Sequence, residues 1–244
     1  MKHKVIVLLT VLLLAVLPYS TAIYAAELKE GTKDLQVVQT NNYNVETNKN
    51  TLINMALAAS KERVLKMKSI APIDDEIRIV QKLSEKTYEN GDSVTEYVAD
   101  TFLLLDQNEE KITATQLASY DDLIDGYGTC YISARVYYST GTTNGYDSIR
   151  ISSMTVTPYS DFHYAVTSMR YGIIGRWDAT DTNPLDATAT INNPSNVSYT
   201  VFNPRQTYYY DRNFGAAHDA GVDNVYINGT WRNLNLIFFG FGYI

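Results

Sequence analysis

The stretch IRIVQKLSEKTY-ENGD-SVTEYVADTFLLL, residues 77–105, decides the fold. It reads as two strands, Ile77 to Tyr88 and Ser93 to Leu105, joined by Glu89-Asn90-Gly91-Asp92. Asn-Gly supplies two residues that tolerate positive φ, which predicts a type I′ hairpin turn. On the return strand Val94, Glu96, Val98 and Asp100 fall on one side, with Tyr97 and Thr101 on the other. A hairpin this long needs further strands to bury it.

Composition supplies those strands downstream. Residues 27–111 hold 9 Lys and 10 Glu, whereas residues 112–244 hold no Lys, no Glu and 15 of the 20 Tyr. Lys and Glu favour helices, and Tyr, Thr, Val and Ile favour a half-buried pleated surface. Strands are expected near 129–139, 148–157, 163–177, 187–191, 197–202, 206–211 and 224–244. Loops such as Asn183-Pro184 and Asn192-Asn193-Pro194 separate them. This spacing predicts an all-β fold, an antiparallel β-sandwich of the Ig-like or jelly-roll type, preceded by a short N-terminal helix. Three regions follow: 1–26, 27–74 and 75–244.

The first region has the pattern of an export signal: Lys2 and Lys4, an apolar run from Val5 to Leu17, then a small-residue exit. Pro18 ends that run short of the roughly 20 apolar residues that a membrane span requires. Cleavage fits after Ala22 or Ala26, and Ala26 is preferred because the polar chain begins at Glu27. Residues 27–50 read as a flexible polar arm. Asn50 and Thr51 then cap an amphipathic helix that runs to about Lys68 and ends before Pro72, with Ile53, Leu57 and Val64 on its apolar face.

Several classes drop out. One Cys excludes a disulfide framework and Cys-based metal sites. The net charge of −7 argues against nucleic acid, which needs a basic face. There is no second apolar span, no Gly-rich phosphate loop and no fixed-period repeat. An exported chain without disulfides fits a bacterium with a single membrane.

Three constellations carry candidate chemistry. His218 and Asp219 sit in the small-residue stretch Gly215–Gly221, read as a loop, where the imidazole could serve a hydrolase as general base. No nucleophile signature accompanies them, and a hydrogen-bonded structural His fits as well. Asp178, Asp181 and Asp186, with Asn183, could bind calcium through oxygens, as could Asp121, Asp122 and Asp125. Asx turns at strand ends would select the same residues. Trp177, Tyr208, Tyr209, Tyr210 and Trp231 lie among Asn, Asp and Arg and could stack on sugar rings. A Tyr-Tyr-Tyr strand turns some of its rings away from the core, where cross-strand pairing is the alternative. The C-terminal run from Leu234 to Ile244 is apolar on both faces and reads as a buried final strand. A Ser/Thr-rich hairpin such as Tyr131 to Val156 leaves a membrane-inserting, pore-forming reading open.

The run Asp125-Gly126-Tyr127-Gly128-Thr129, the strands Arg135–Ser139 and Ser148–Ser152 and the strand end Trp177-Asp178 resemble a group of small exported β-rich proteins of Gram-positive bacteria, over roughly residues 75–210. The resemblance implies extracellular location and β fold, and no catalytic residues. The expectation is therefore a secreted, non-catalytic binding or surface protein without a membrane span in its mature chain. Its expected ligand is cell-wall polysaccharide or another glycan, with calcium as a possible ion.

Overall fold

The structure, a computed structural model, describes residues 36–66, 76–106, 110–118, 130–143, 146–159, 166–176, 183, 185–205, 209–210, 217–227 and 230–238. In chain order the elements are β1 (Val37–Asn42), α1 (Lys49–Lys66), β2 (Ile77–Tyr88), β3 (Ser93–Leu104), α2 (Ala114–Ala118), β4 (Cys130–Thr143) and β5 (Tyr146–Pro158). There follow β6 (Val166–Arg176), β7 (Leu185–Asn192), β8 (Tyr199–Phe202), β9 (Tyr209–Tyr210), β10 (Ala217–Ile227) and β11 (Thr230–Phe238). The chain is mostly antiparallel β, in two sheets. The larger runs β1-β2-β3-β4-β5-β8, with β9 also on β5, and the smaller runs β11-β10-β6-β7.

The founding hairpin forms with a different turn. Among residues 89–92 only Gly91 has positive φ, at 86°. Gly91 N donates to Tyr88 O at 3.0 Å, and Tyr88 N donates to Asp92 O at 2.9 Å. This is a three-residue loop ending in a left-handed glycine, whereas type I′ needs positive φ at Asn90 as well. Asn90 instead spends its side chain on the turn, accepting from Asp92 N at 3.0 Å.

Alternation along β2–β5 divides the large sheet into two faces. One carries Ala99, Ala134, Val136, Tyr138, Ile151, Met154 and Val156, all buried, and shares a core with Val166, Met169, Tyr171, Ile173, Ala220, Val222 and Val225 of the small sheet. Full burial of each large aliphatic side chain there stabilises by about 1.5–3 kcal/mol. The other face carries Ile77, Phe102 and Leu104, which pack against Leu52, Ala56 and Leu57 of α1 and Ala114 of α2. β3 therefore ends apolar on both sides, from Phe102 to Leu104, because both sides are covered.

Upstream residues enter the sheet rather than trailing from it. The segment expected as a flexible arm contributes β1, hydrogen-bonded to β2 from Val37 to Asn42. Asn48, not Asn50 or Thr51, caps α1, its Oδ1 accepting from Asn50 N at 3.0 Å and Thr51 N at 3.1 Å. Mid-helix Ser60 is fully buried, and its Oγ accepts from Arg78 N of β2 at 3.0 Å. The helix is thus docked by polar contacts as well as apolar ones, and the boundary expected at residue 75 cuts through a continuous packing unit. The expected signal segment, 1–26, lies outside the described residues.

Candidate functional site

The outward face of β4, β5 and β8 collects the most chemically distinctive side chains among the described residues. Register sets them in rows across the sheet. Tyr137 is level with Ser153 and Ser153 with Phe202. In the next row Asp100, Arg135, Thr155 and Thr200 stand side by side. Ser133 and Thr157 follow in the third. Phe202 is 71% exposed, far from ordinary for a large apolar ring. Its row places half-buried Tyr137 two strands away, about 10 Å. Between and beside the rings lie hydroxyls bonded in pairs, Thr155 Oγ1 to Thr200 Oγ1 at 2.8 Å and Thr157 Oγ1 to Ser198 Oγ at 2.9 Å.

A β-bulge shapes this surface. Tyr137 pairs with Ser153 but Tyr138 with Ile151, leaving Ser152 as the extra residue of β5. Asn203, 1% exposed, fills the irregularity. Its backbone N donates to Ser152 O at 2.9 Å and its Nδ2 to Ile151 O at 2.7 Å. Chain direction changes there, so the edge of β5 is shared by β8, up to Phe202, and by β9.

The two charged residues in these rows hold each other. Arg135 donates two bonds to Asp100, Nε to Oδ1 at 2.7 Å and Nη2 to Oδ2 at 3.0 Å. Burial, outweighing the attraction of Arg135, pushes the Asp100 carboxyl above its ordinary value, and the bond from Asp100 keeps Arg135 firmly protonated. A strap between β1 and α1 borders the pair. Gln81 grips it at both polar groups of one residue, Oε1 accepting from Glu46 N at 2.8 Å and Nε2 donating to Glu46 O at 3.3 Å. The Glu46 carboxylate accepts from Asn48 N and Thr47 N, which hold it below the usual carboxylate range. On the same border Lys49 Nζ lies 3.4 Å from the centre of the Tyr159 ring, and the Tyr159 hydroxyl bonds Ser133 Oγ at 3.1 Å.

The residues singled out from sequence are dispersed. Tyr209 and Tyr210 form β9, paired with Ile149 and Ser148, on the edge of the large sheet; Tyr208 lies outside the described residues. Trp231 is on β11, level through Tyr226 with Ser168 of β6. Arg176, which precedes Trp177, is eight residues further along β6, about 27 Å away, and Trp177 itself lies outside the described residues. His218 and Asp219 are not in a loop. They are consecutive positions of β10, a strand paired on both sides, and consecutive strand positions alternate between faces. Asp178, Asp181, Asp121, Asp122 and Asp125 lie outside the described residues. Asp186 is exposed on β7 and accepts from Thr188 Oγ1 at 2.7 Å. The carbonyl of Asn183, a candidate calcium ligand, accepts a hydrogen bond from the Arg205 guanidinium, so that oxygen is already engaged by a cation. Among the described residues no three His, Cys, Asp or Glu are grouped to hold a metal.

Sequence reasoning missed Tyr137 and Phe202. The signal was present for the first: Tyr137-Tyr138 is an aromatic doublet in a strand, so one ring must face outward. Compared with family models, with curated proteins and with solved structures, the chain finds no match in any of the three. Among the described residues no helix is long and apolar enough to cross a membrane, which says nothing of a β-barrel.

Proposed function

We propose that the chain is an exported, non-catalytic extracellular binding protein of a Gram-positive bacterium, with cell-wall polysaccharide or another glycan as its ligand. The observation that carries this reading is Phe202, widely exposed and level with Tyr137 across a hydroxyl-lined sheet face. Pyranose rings offer C–H faces to aromatic rings and hydroxyls to Ser and Thr, and both kinds of partner are side by side here. The shared core of the two sheets supports an antiparallel sandwich in the broad sense. The run β1–β5 is a meander, whereas Ig-like and jelly-roll sandwiches rest on Greek-key connections.

Co-sedimentation of the purified exported chain with washed Gram-positive cell walls, with and without calcium, tests the reading. Saturable pelleting that free wall sugars compete away is the expected result. Protein that stays in the supernatant under both conditions overturns it. Pelleting that needs calcium would bring the carboxylates of Asp178, Asp181 and Asp186 into the binding reaction.

A second reading rests on a separate observation. Ile132, Ala134, Val136 and Tyr138 of β4 and Ile149, Ile151, Met154 and Val156 of β5 form a buried apolar stripe on one face, while Ser133, Arg135, Tyr137, Thr155 and Thr157 occupy the other. That is the pattern of a membrane-spanning hairpin, which would exchange the small sheet for lipid. It is equally the pattern of any sheet with one covered face. Leakage of neutral or anionic vesicles distinguishes the two.

A further inference from the structure

The sequence left the chemistry of the glycan open. Resting on the proposal above, we infer that the β4–β5–β8 face takes a neutral polysaccharide chain, bound along its length rather than by one ring, with Phe202 and Tyr137 as the two stacking positions.

Charge supplies the first argument. The chain carries a net charge of −7, yet Tyr137, Ser153, Thr155, Thr157, Thr200 and Phe202 include no acidic or basic residue. Arg135, level with Thr155, has its charge answered twice over by Asp100. A face that recognised an acidic polymer would present free guanidinium or ammonium groups; the guanidinium in these three rows, Arg135, is already bound, and Arg150 lies outside them, beyond the bulge and level with Ser139. Neutral hydroxyl and aromatic surface complements a neutral, hydroxyl-bearing ligand.

Spacing supplies the second. Phe202 and Tyr137 are about 10 Å apart across the strands. The hydroxyl rows extend from Ser153 to Thr157, about 13 Å along β5. Both dimensions exceed a single pyranose ring. The Thr155–Thr200 and Thr157–Ser198 pairs, both exposed, each use one hydrogen atom and keep acceptor lone pairs and a further donor, the complement of a sugar hydroxyl. The strands beneath are anchored by a continuous ladder and by Asn203, so the face is rigid and loses little freedom on binding.

The test is retention of the exported chain on insoluble chitin and cellulose, as neutral polymers, and on immobilised polygalacturonate, as an acidic one, at low and high salt. Expected is retention on a neutral polymer that salt leaves unchanged, competed by its oligosaccharides with increasing length but not by its monosaccharide. Phe202→Ala and Tyr137→Ala should each weaken it about tenfold, and Phe202→Trp should preserve it. Phe202 is so exposed that its removal leaves the fold intact; should Tyr137→Ala unfold the protein, Thr155→Val with Thr200→Val serves as the second variant, with a comparable loss expected. Retention only on polygalacturonate, falling with salt, overturns the inference. So does retention on no neutral polymer, or cell-wall binding that Phe202→Ala leaves unchanged; in these cases the broader glycan reading stands if walls still pellet the protein. Failure to bind walls or any polymer removes both. If sedimentation velocity shows a dimer that Phe202→Ala dissociates, the face is an interface between copies and the inference is overturned.

Discussion

Removing Asp100 tests whether the ion pair next to the candidate face is an energetic anchor or a neighbourly contact. Asp100 keeps only 6% of its side chain exposed and Arg135 24%. Losing one member of a fully buried pair costs about 3–5 kcal/mol, because the survivor is a desolvated charge without a partner. Arg135 retains some solvent, so Asp100→Ala should cost about 2–3 kcal/mol in urea unfolding, a large part of a total stability of order 5–15 kcal/mol. In a double-mutant cycle with Arg135→Ala, the coupling should be about 1–2 kcal/mol. A coupling below about 0.5 kcal/mol would refute the reasoning and class the pair with solvent-screened surface bridges. The pH dependence has a definite sign. Burial raises the folded-state pKa of Asp100 above 3.8, so its stabilising contribution is fully present below that value and is lost as pH rises through the folded pKa. The stability of the wild type relative to Asp100→Asn should therefore fall as pH increases from about 4. A rise would mean that the attraction of Arg135 exceeds the cost of burial.

Substitutions at three other positions, and a second readout of Asp100→Ala, separate distinct causes. Gly172→Ala puts a Cβ 2.6 Å from Ala187 O and 2.6 Å from Thr188 Cα, both backbone atoms, so β6 and β7 must move apart; a loss of about 1–3 kcal/mol by thermal unfolding is expected, and an unchanged Tm would contradict the close approach. Gly91→Ala meets no atom within 4 Å but holds φ at +86°, so it should cost about 1–2 kcal/mol through backbone strain alone, recovered by Gly91→Asn in part. Asn48→Ala should cost about 1 kcal/mol by loss of the helix cap, seen as reduced stability with unchanged sheet signal. On the glycan reading, Asp100→Ala should also free the Arg135 charge and give retention on polygalacturonate that high salt abolishes; retention unaffected by salt would show that Arg135 does not face the ligand.

Much of the architecture was legible because it follows from local rules. The hairpin at residues 77–104 and the succession of strands after residue 130 could be read from alternation and from the absence of Lys and Glu. β1 was hidden, since Gln39-Thr40-Asn41-Asn42 is polar and aperiodic. Its strand conformation comes from ladder bonds to β2, a partner more than forty residues away. The stretch from Ala217 to Gly221 misled in the opposite direction. Its small residues suggest a loop, yet a strand between two neighbours needs small side chains where backbones or facing sheets lie close, as Gly172 does against β7. The turn at Asn90-Gly91 was identified but mistyped, because dipeptide composition fixes where the chain reverses better than how many residues do it.

The candidate site was harder to see for a reason that alternation itself explains. A site on a sheet face is assembled perpendicular to the chain, so its members are never near each other in sequence. Asp100, Arg135, Thr155 and Thr200 form one row, yet each is separated from the next by 20 residues or more. The Tyr208-Tyr209-Tyr210 run drew attention because it is dense along the chain, and density along a strand divides rings between opposite faces. Tyr137 and Phe202 stand 65 residues apart in sequence, and only the register through Ser153 brings them level. The bulge at Ser152 is decisive here. Were Ser152 an ordinary paired residue rather than bulged, Ile149 and Ile151 would share a face with Ser153 and so stand on the side of Tyr137. The one irregularity in the β4–β5 ladder thus keeps both the apolar core and the hydroxyl-lined face intact, and Asn203 closes the gap that it opens. Deleting Ser152 should therefore leave Ile151 and Ser153 on their present faces, as consecutive partners of Tyr138 and Tyr137, and cost less than a core truncation; a loss above about 3 kcal/mol in urea unfolding would refute the bulge assignment.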